Sequence, residues 1–257
     1  MALLKIEYYS EVLGMNRPVN VLYPEASKTG VKDATDIPVL YLLHGMSGNE
    51  NSWLHRSGID RLVRATNIAV VMPSTDLGFY TNTKYGMNYF DATAIELPKI
   101  IHNFFPNLST KPEKNFIAGL SMGGYGAVKL GLATDKFSHV ASLSGALDFE
   151  TVAKEVPHNP DYWQGIFGSI EEFRNSDNNL LNLARHSKQR PKIYAWCGTE
   201  DFLFEENNKA IAEFKALGYD VVYETSAGKH DWYYWTQKID TILDWLPIDY
   251  KREERKI

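Results

Sequence analysis

Short runs of consecutive apolar residues recur along the chain, separated by helix-period patterns, and this alternation restricts the fold more than any other feature. IPVLYLLHG and IAVVMPS are continuous apolar runs, of the kind that must be covered on both faces of a sheet. NFIAG, HVASLSG, PKIYAWCG and DVVYETSAG are further strand candidates, and LLKIEYYS with RPVNVLYP reads as an early antiparallel pair. Between them lie helical patterns such as GIDRLVRAT, DATAIELPKIIHNFF, ENNKAIAEFKALG and DWYYWTQKIDTILDWLP, the last ended by Pro247. The order predicts an α/β fold, a mostly parallel central sheet with helices on both faces.

One segment departs from the rhythm. From about Leu147 to Arg190 the sequence is polar, studded with aromatic residues and without a clear strand. It predicts a helical cap insertion, at about 147–190 within a single 1–257 domain, over the edge where open α/β sheets bind ligands. At 257 residues, 44% hydrophobic and 23% charged, the chain can bury its core without disulfides or metal. A net charge of -5 and the lack of a basic stripe exclude nucleic acid as an expected partner. The lone Cys197 excludes an internal disulfide and Cys-rich metal motifs, which fits a reducing compartment. MALLKIEYYSEVLG lacks the apolar run of a signal peptide, and no stretch approaches a membrane span. The expectation is a cytoplasmic protein without a membrane partner. The terminal helix and the insertion either complete the core or offer apolar surface for a homo-oligomer.

The chemistry concentrates in FIAGLSMGGYGAVKLGL, residues 116–132. Ser121 directly follows a strand candidate and precedes a helical one, so Gly119-Leu120-Ser121-Met122-Gly123 fits the G-x-S-x-G nucleophile elbow in its strand-turn-helix context. A serine hydroxyl is a weak nucleophile until a base takes its proton, so the elbow predicts a later histidine and an acid before it. Of seven histidines, His230 stands at the junction of the last strand and last helix, where this order requires it. YAWCGTEDFLF offers Glu200 and Asp201 at a strand edge. Asp201 is the chosen orienting acid, with a helix-cap role as the competing reading, and Asp231 is better placed to cap the terminal helix. LLHGMSGNENSWL leaves a strand at His44 and turns tightly, which should aim an amide near Met46 at the same point as that of Met122. Together these would form an oxyanion hole.

Among aromatic residues at loop edges, Trp53, Tyr80, Trp163 and Trp232 are candidates to line a substrate pocket, with core packing as the alternative. The loop STDLGFYTNTKYG is expected to open at the same edge. H-E-x-x-H, GxxxxGK[ST] and G-x-G-x-x-G motifs are absent, and no metal or organic cofactor is expected.

The stretches IEYYSEVLGMNRPVNVLYP, PVLYLLHGMSGNENSWL, FIAGLSMGGYGAVKL, FSHVASLSGAL, YAWCGTEDFLFEENN, HDWYYW and LPIDY resemble the bacterial tributyrin esterase group, within the esterase D and S-formylglutathione hydrolase-like branch of the α/β-hydrolases. The resemblance spans nearly the whole chain. It implies hydrolysis of short-chain acyl esters, acetyl to butyryl, as small-molecule substrates. It also implies Ser121 as nucleophile, Asp201 as acid, His230 as base, and the Met46 and Met122 amides as oxyanion donors. Rival readings are an S-formylglutathione hydrolase-type thioesterase, an acyltransferase and a catalytically silent binding module.

Overall fold

The computed structural model describes residues 1–148 and 160–252. The strands form one sheet in the order β1-β2-β4-β3-β5-β6-β7-β8. They are β1 Ala2–Ser10, β2 Met15–Tyr23, β3 Val39–Leu43, β4 Ala69–Pro73, β5 Asn115–Leu120, β6 His139–Leu143, β7 Lys192–Gly198 and β8 Val221–Ser226. β1 runs antiparallel to β2, and β2 antiparallel to β4. All pairings from β4·β3 across to β7·β8 are parallel.

The continuity of the apolar runs follows from two cores. Along β3, Val39, Tyr41 and Leu43 face one core with Ile117, Val128 and Phe214, whereas Leu40 and Leu42 face another with Trp53, Phe116 and Trp196. Side chains alternate between sheet faces, and both faces are covered, so every residue of β3, β4 and β5 is buried. Each large aliphatic or aromatic side chain so buried contributes about 1.5–3 kcal/mol relative to exposure. At the edge, β1 alternates half-buried and exposed positions as far as Tyr9, the pattern of a strand covered on one face.

The helix Met122–Ala133 covers the first face. The helix Trp232–Trp245 covers the second through Trp235, Ile239, Ile242 and Leu243, which recur at the helical period. Two helical patterns differ in detail from their expectation. GIDRLVRAT gives only Ile59–Leu62, split from Ser52–Ser57 by Gly58 at φ +62°. In DATAIELPKIIHNFF the Leu97 amide bonds to Ala92, five residues back, in a widened turn before the helix Leu97–Phe104. Pro98, which has no amide proton to return to Ala94, accounts for that widening.

The expected insertion contains helices Pro160–Phe167, Ile170–Arg174 and Leu180–His186; its residues 149–159 lie outside the described residues. Ser169 and Glu172 close a capping box at the start of the second of these helices. The Tyr162 hydroxyl donates to the Leu77 carbonyl at 2.7 Å, and the Tyr125 hydroxyl to the Asn178 carbonyl at 2.7 Å. The buried Lys129 ammonium donates to Thr81 Oγ1 and Asn178 Oδ1, each at 2.5 Å. These bonds lay the segment against the loop after β4 and the flank of the Met122–Ala133 helix. Among the described residues, no helix is long and apolar enough to cross a membrane.

Candidate active site

β5 ends at Leu120 and the helix begins at Met122, which leaves Ser121 alone at the turn with φ 54° and ψ -120°. A serine with positive φ costs on the order of 1–3 kcal/mol and persists only where its surroundings impose it. Here its amide donates to the Leu143 carbonyl at 2.9 Å, and its carbonyl accepts from Tyr125 and Ala146, each at 3.1 Å. Two glycines permit the crowding. A Cβ on Gly119 would sit 2.3 Å from the Gly123 carbonyl oxygen, and one on Gly123 would sit 2.5 Å from that of Leu43. Any side chain at either position would displace backbone.

Ser121 Oγ lies 3.0 Å from His230 Nε2. On the other side of the ring, His230 Nδ1 lies 3.0 and 3.1 Å from the two carboxylate oxygens of Asp201. A carboxylate only accepts, so Nδ1 carries the proton and Nε2 is left to accept from the serine hydroxyl. Asp201 also accepts the Leu203 amide at 2.9 Å, and its side chain is wholly buried. Glu200, the alternative acid, is exposed and faces Lys229 at 3.8 Å. Asp231 caps the terminal helix by accepting the Tyr233 amide at 2.8 Å. Ser121, Asp201 and His230 thus come together from the loops that follow β5, β7 and β8.

The imidazole is held between two rings, Phe202 at 4.7 Å and Trp235 at 4.9 Å. Trp235 is fixed in turn by its indole N–H, which donates to Ser144 Oγ at 3.1 Å. Behind Asp201, burial pushes the Glu206 carboxyl up to about 8, so at neutral pH it adds little negative charge beside the aspartate. Burial likewise pushes the Cys197 thiol up, away from the thiolate form a nucleophile needs.

Ser121 and His230 open into a cavity of about 570 Å³, lined among others by Met46, Phe202, Trp232 and Trp235. Of the four aromatic residues expected in a pocket, only Trp232 lines it. Trp53, Tyr80 and Trp163 are corrections: all are buried in the core. Trp53 donates to the Leu43 carbonyl at 2.9 Å, Tyr80 donates to the His44 carbonyl at 3.0 Å, and Trp163 packs against Phe79 and Phe167. The loop after β4 does not line this cavity, and neither does any described residue of the insertion. Phe202, Trp235 and Arg56 do line it, and sequence reasoning missed all three. The available signals were adjacency to Asp201 for Phe202, and for Trp235 a position one helical turn beyond Trp232 on the same face.

The loop after β3 carries a polar device of its own. His44 is buried; its Nε2 accepts the Thr75 amide at 3.0 Å, so Nδ1 carries the proton and donates to the Gly45 carbonyl at 2.7 Å. Burial pulls the imidazole down from 6.5 to about 4, and the ring is neutral at pH 7. The neighbouring Met46 amide, like that of Met122, donates to no protein acceptor among the described residues. Met122 also opens a twelve-residue helix, whose N-terminus favours negative charge.

His44 carries a consequence for stability. Its folded value lies below the unfolded one, so between about 6.5 and about 4 the unfolded chain binds more protons, and stability is lost as pH falls through that window. His44→Gln, which does not titrate, should be less stable than wild type at pH 7. Urea unfolding at pH 7 and pH 4.5 should show that gap narrowing by about 2 kcal/mol. An unchanged gap would show that His44 does not titrate as assigned.

An eight-stranded, mostly parallel sheet with helices on both faces is the α/β-hydrolase fold, and the relatives of the chain make the protein a carboxylic ester hydrolase. The model of the Esterase family matches residues 10–246, and the chain belongs to that family. An acetyl esterase from Caldicellulosiruptor saccharolyticus is 35% identical over 262 residues, covering 96% of this chain and 98% of the relative. Two solved structures from Staphylococcus aureus are similar in fold, each 30% identical and covering 95% of this chain and 98% of the other. They are the substrate-bound fluorophosphonate-binding serine hydrolase F, at a TM-score of 0.87, and an S-formylglutathione hydrolase, at 0.85. Together they place the chain in the esterase D and S-formylglutathione hydrolase-like branch.

Proposed function

We propose that the protein hydrolyses short-chain carboxylic esters, acetyl to butyryl, through an acyl-enzyme on Ser121. The observation that carries the reading is the unbroken chain of contacts from Ser121 Oγ through His230 to Asp201 at the floor of an aromatic-walled cavity. His230 Nε2 takes the serine proton as Oγ attacks the ester carbonyl carbon. The negative charge on the carbonyl oxygen is shared by the Met46 and Met122 amides, and Asp201 stabilises the imidazolium. That imidazolium then protonates the departing alkoxide. Water attacks the acyl group, His230 takes its proton, and the carboxylic acid leaves as Ser121 regains its hydrogen.

The acyl range rests on the cavity and on the acetyl esterase relative. A volume of about 570 Å³, with Phe202, Trp232 and Trp235 among its walls, has room for a compact ester. Across p-nitrophenyl esters from acetate to laurate, kcat/KM should peak between two and four acyl carbons and fall roughly tenfold or more by eight, since each misfitted methylene is worth about 1–3 kcal/mol. A rate that keeps rising past eight carbons would overturn the range. The similarity to an S-formylglutathione hydrolase favours a second reading, in which the acyl group leaves a thiol. Comparing S-formylglutathione with p-nitrophenyl acetate distinguishes the two. A single cysteine, Cys197, leaves no internal disulfide to form, which fits a reducing, cytoplasmic setting.

A further inference from the structure

Arg56 lies in the last turn of the helix Ser52–Ser57, directly after the oxyanion loop, and lines the same cavity as Ser121 and His230. It is the one arginine or lysine among the lining residues, and no aspartate or glutamate lines the cavity. The guanidinium lies over the Trp232 ring, 5.8 Å from its centroid. Among the described residues it has no ion-pair partner, and no side-chain acceptor takes its N–H groups. The contrast with other arginines is clear: Arg17 forks onto Asp76 at 2.9 and 3.0 Å, and Arg252 faces Asp240 at 3.3 Å. A cationic residue near a helix C-terminus is favourable on its own account, but that effect does not need the side chain to reach the ring of Trp232. In a chain of net charge -5, the walls of this cavity carry a single unneutralised cation.

We propose that Arg56 makes the site selective for esters that carry a negative charge, a carboxylate above all. The inference rests on the serine esterase reading and extends it to substrate class. A guanidinium over the face of an indole, with no carboxylate paired to it, keeps its N–H edge free, the edge that pairs with a carboxylate through two parallel hydrogen bonds. A neutral ester of the same size uses the aromatic walls and leaves that edge to water. The charge can sit on the alcohol or on the acyl part, and paired substrates separate the two.

The test is a ratio. For the alcohol side, kcat/KM is measured for 4-acetoxybenzoate against 4-acetoxybenzamide; for the acyl side, p-nitrophenyl hemisuccinate against p-nitrophenyl butyrate. In Arg56→Gln the anionic-to-neutral ratio of at least one pair should fall about tenfold from its wild-type value, the worth of one charge-assisted hydrogen bond. Arg56→Lys should restore part of it, because charge returns without the planar fork. Raising the salt concentration should lower the wild-type ratio and leave that of Arg56→Gln unmoved. Ratios equal in wild type and Arg56→Gln for both pairs, with the neutral esters still turned over in a Ser121-dependent manner, overturn the Arg56 assignment and leave the esterase reading intact. Absence of Ser121-dependent turnover of any ester overturns both.

Discussion

Replacing Ser121 with alanine is expected to lower kcat for p-nitrophenyl acetate by on the order of 10⁴- to 10⁶-fold while leaving the fold in place. Alanine keeps the Cβ and therefore the same backbone demand at φ 54°, so the unfolding midpoint in urea should move little. What disappears is the oxygen 3.0 Å from His230 Nε2, and with it the acyl-enzyme. Stopped-flow kinetics check this directly, because the burst of nitrophenolate from the first turnover should vanish, as should labelling by a fluorophosphonate. Residual activity within tenfold of wild type would mean that another group attacks the ester, and the proposed mechanism would fall.

Asp201→Asn should cost about 10⁴-fold in kcat with a much smaller change in KM. The aspartate binds no substrate; it sits behind the histidine, wholly buried, and sets which ring nitrogen holds the proton. An asparagine turning its amide hydrogens toward Nδ1 reverses the tautomer and directs an N–H at Ser121 where an acceptor is needed. Glu200→Gln is the control one residue away. Its carboxylate is exposed on the far side of the loop, beside Lys229, and its loss should change kcat less than threefold. Equal losses in the two variants would assign the effect to loop charge instead of to the histidine contact.

Much of this arrangement was legible in the chain, for reasons that differ residue by residue. The central strands announced themselves because burial on both faces leaves no room for polar alternation, as in VLYLL of β3. Ser121 was legible because the elbow needs glycine where backbone approaches backbone, and Gly119 and Gly123 are the positions where a Cβ does not fit. Asp201 and Glu200 are adjacent, and only the opposite directions of their side chains at the strand edge separated them. The cavity walls were not legible. Tyr80 and Trp53 resemble Trp232 as letters, yet each spends its polar atom on a backbone carbonyl of the β3 end or its loop and its ring on the core. Phe79 and Tyr80 both have positive φ, a backbone path that turns the rings inward and that no local pattern of residues reveals. Arg56 was invisible for a simpler reason: an arginine late in a short helix is ordinary until the neighbours that fail to neutralise it are known.

The order in which the chain delivers its parts has a consequence for how the molecule comes into being. The elbow and the loop beside His44 lie within the first half of the chain, whereas Asp201 and His230 arrive with β7, β8 and the helix that follows. A growing polypeptide that has emerged only as far as Arg190 can already display Ser121, but it carries no base to activate it. The last helix closes the second core through Trp235, Ile239, Ile242 and Leu243, and Trp235 also packs against the imidazole. On the proposed mechanism, the segment that completes that core also brings the base and the ring that packs on it, so a chain ending at Arg190 is expected to be inert toward esters.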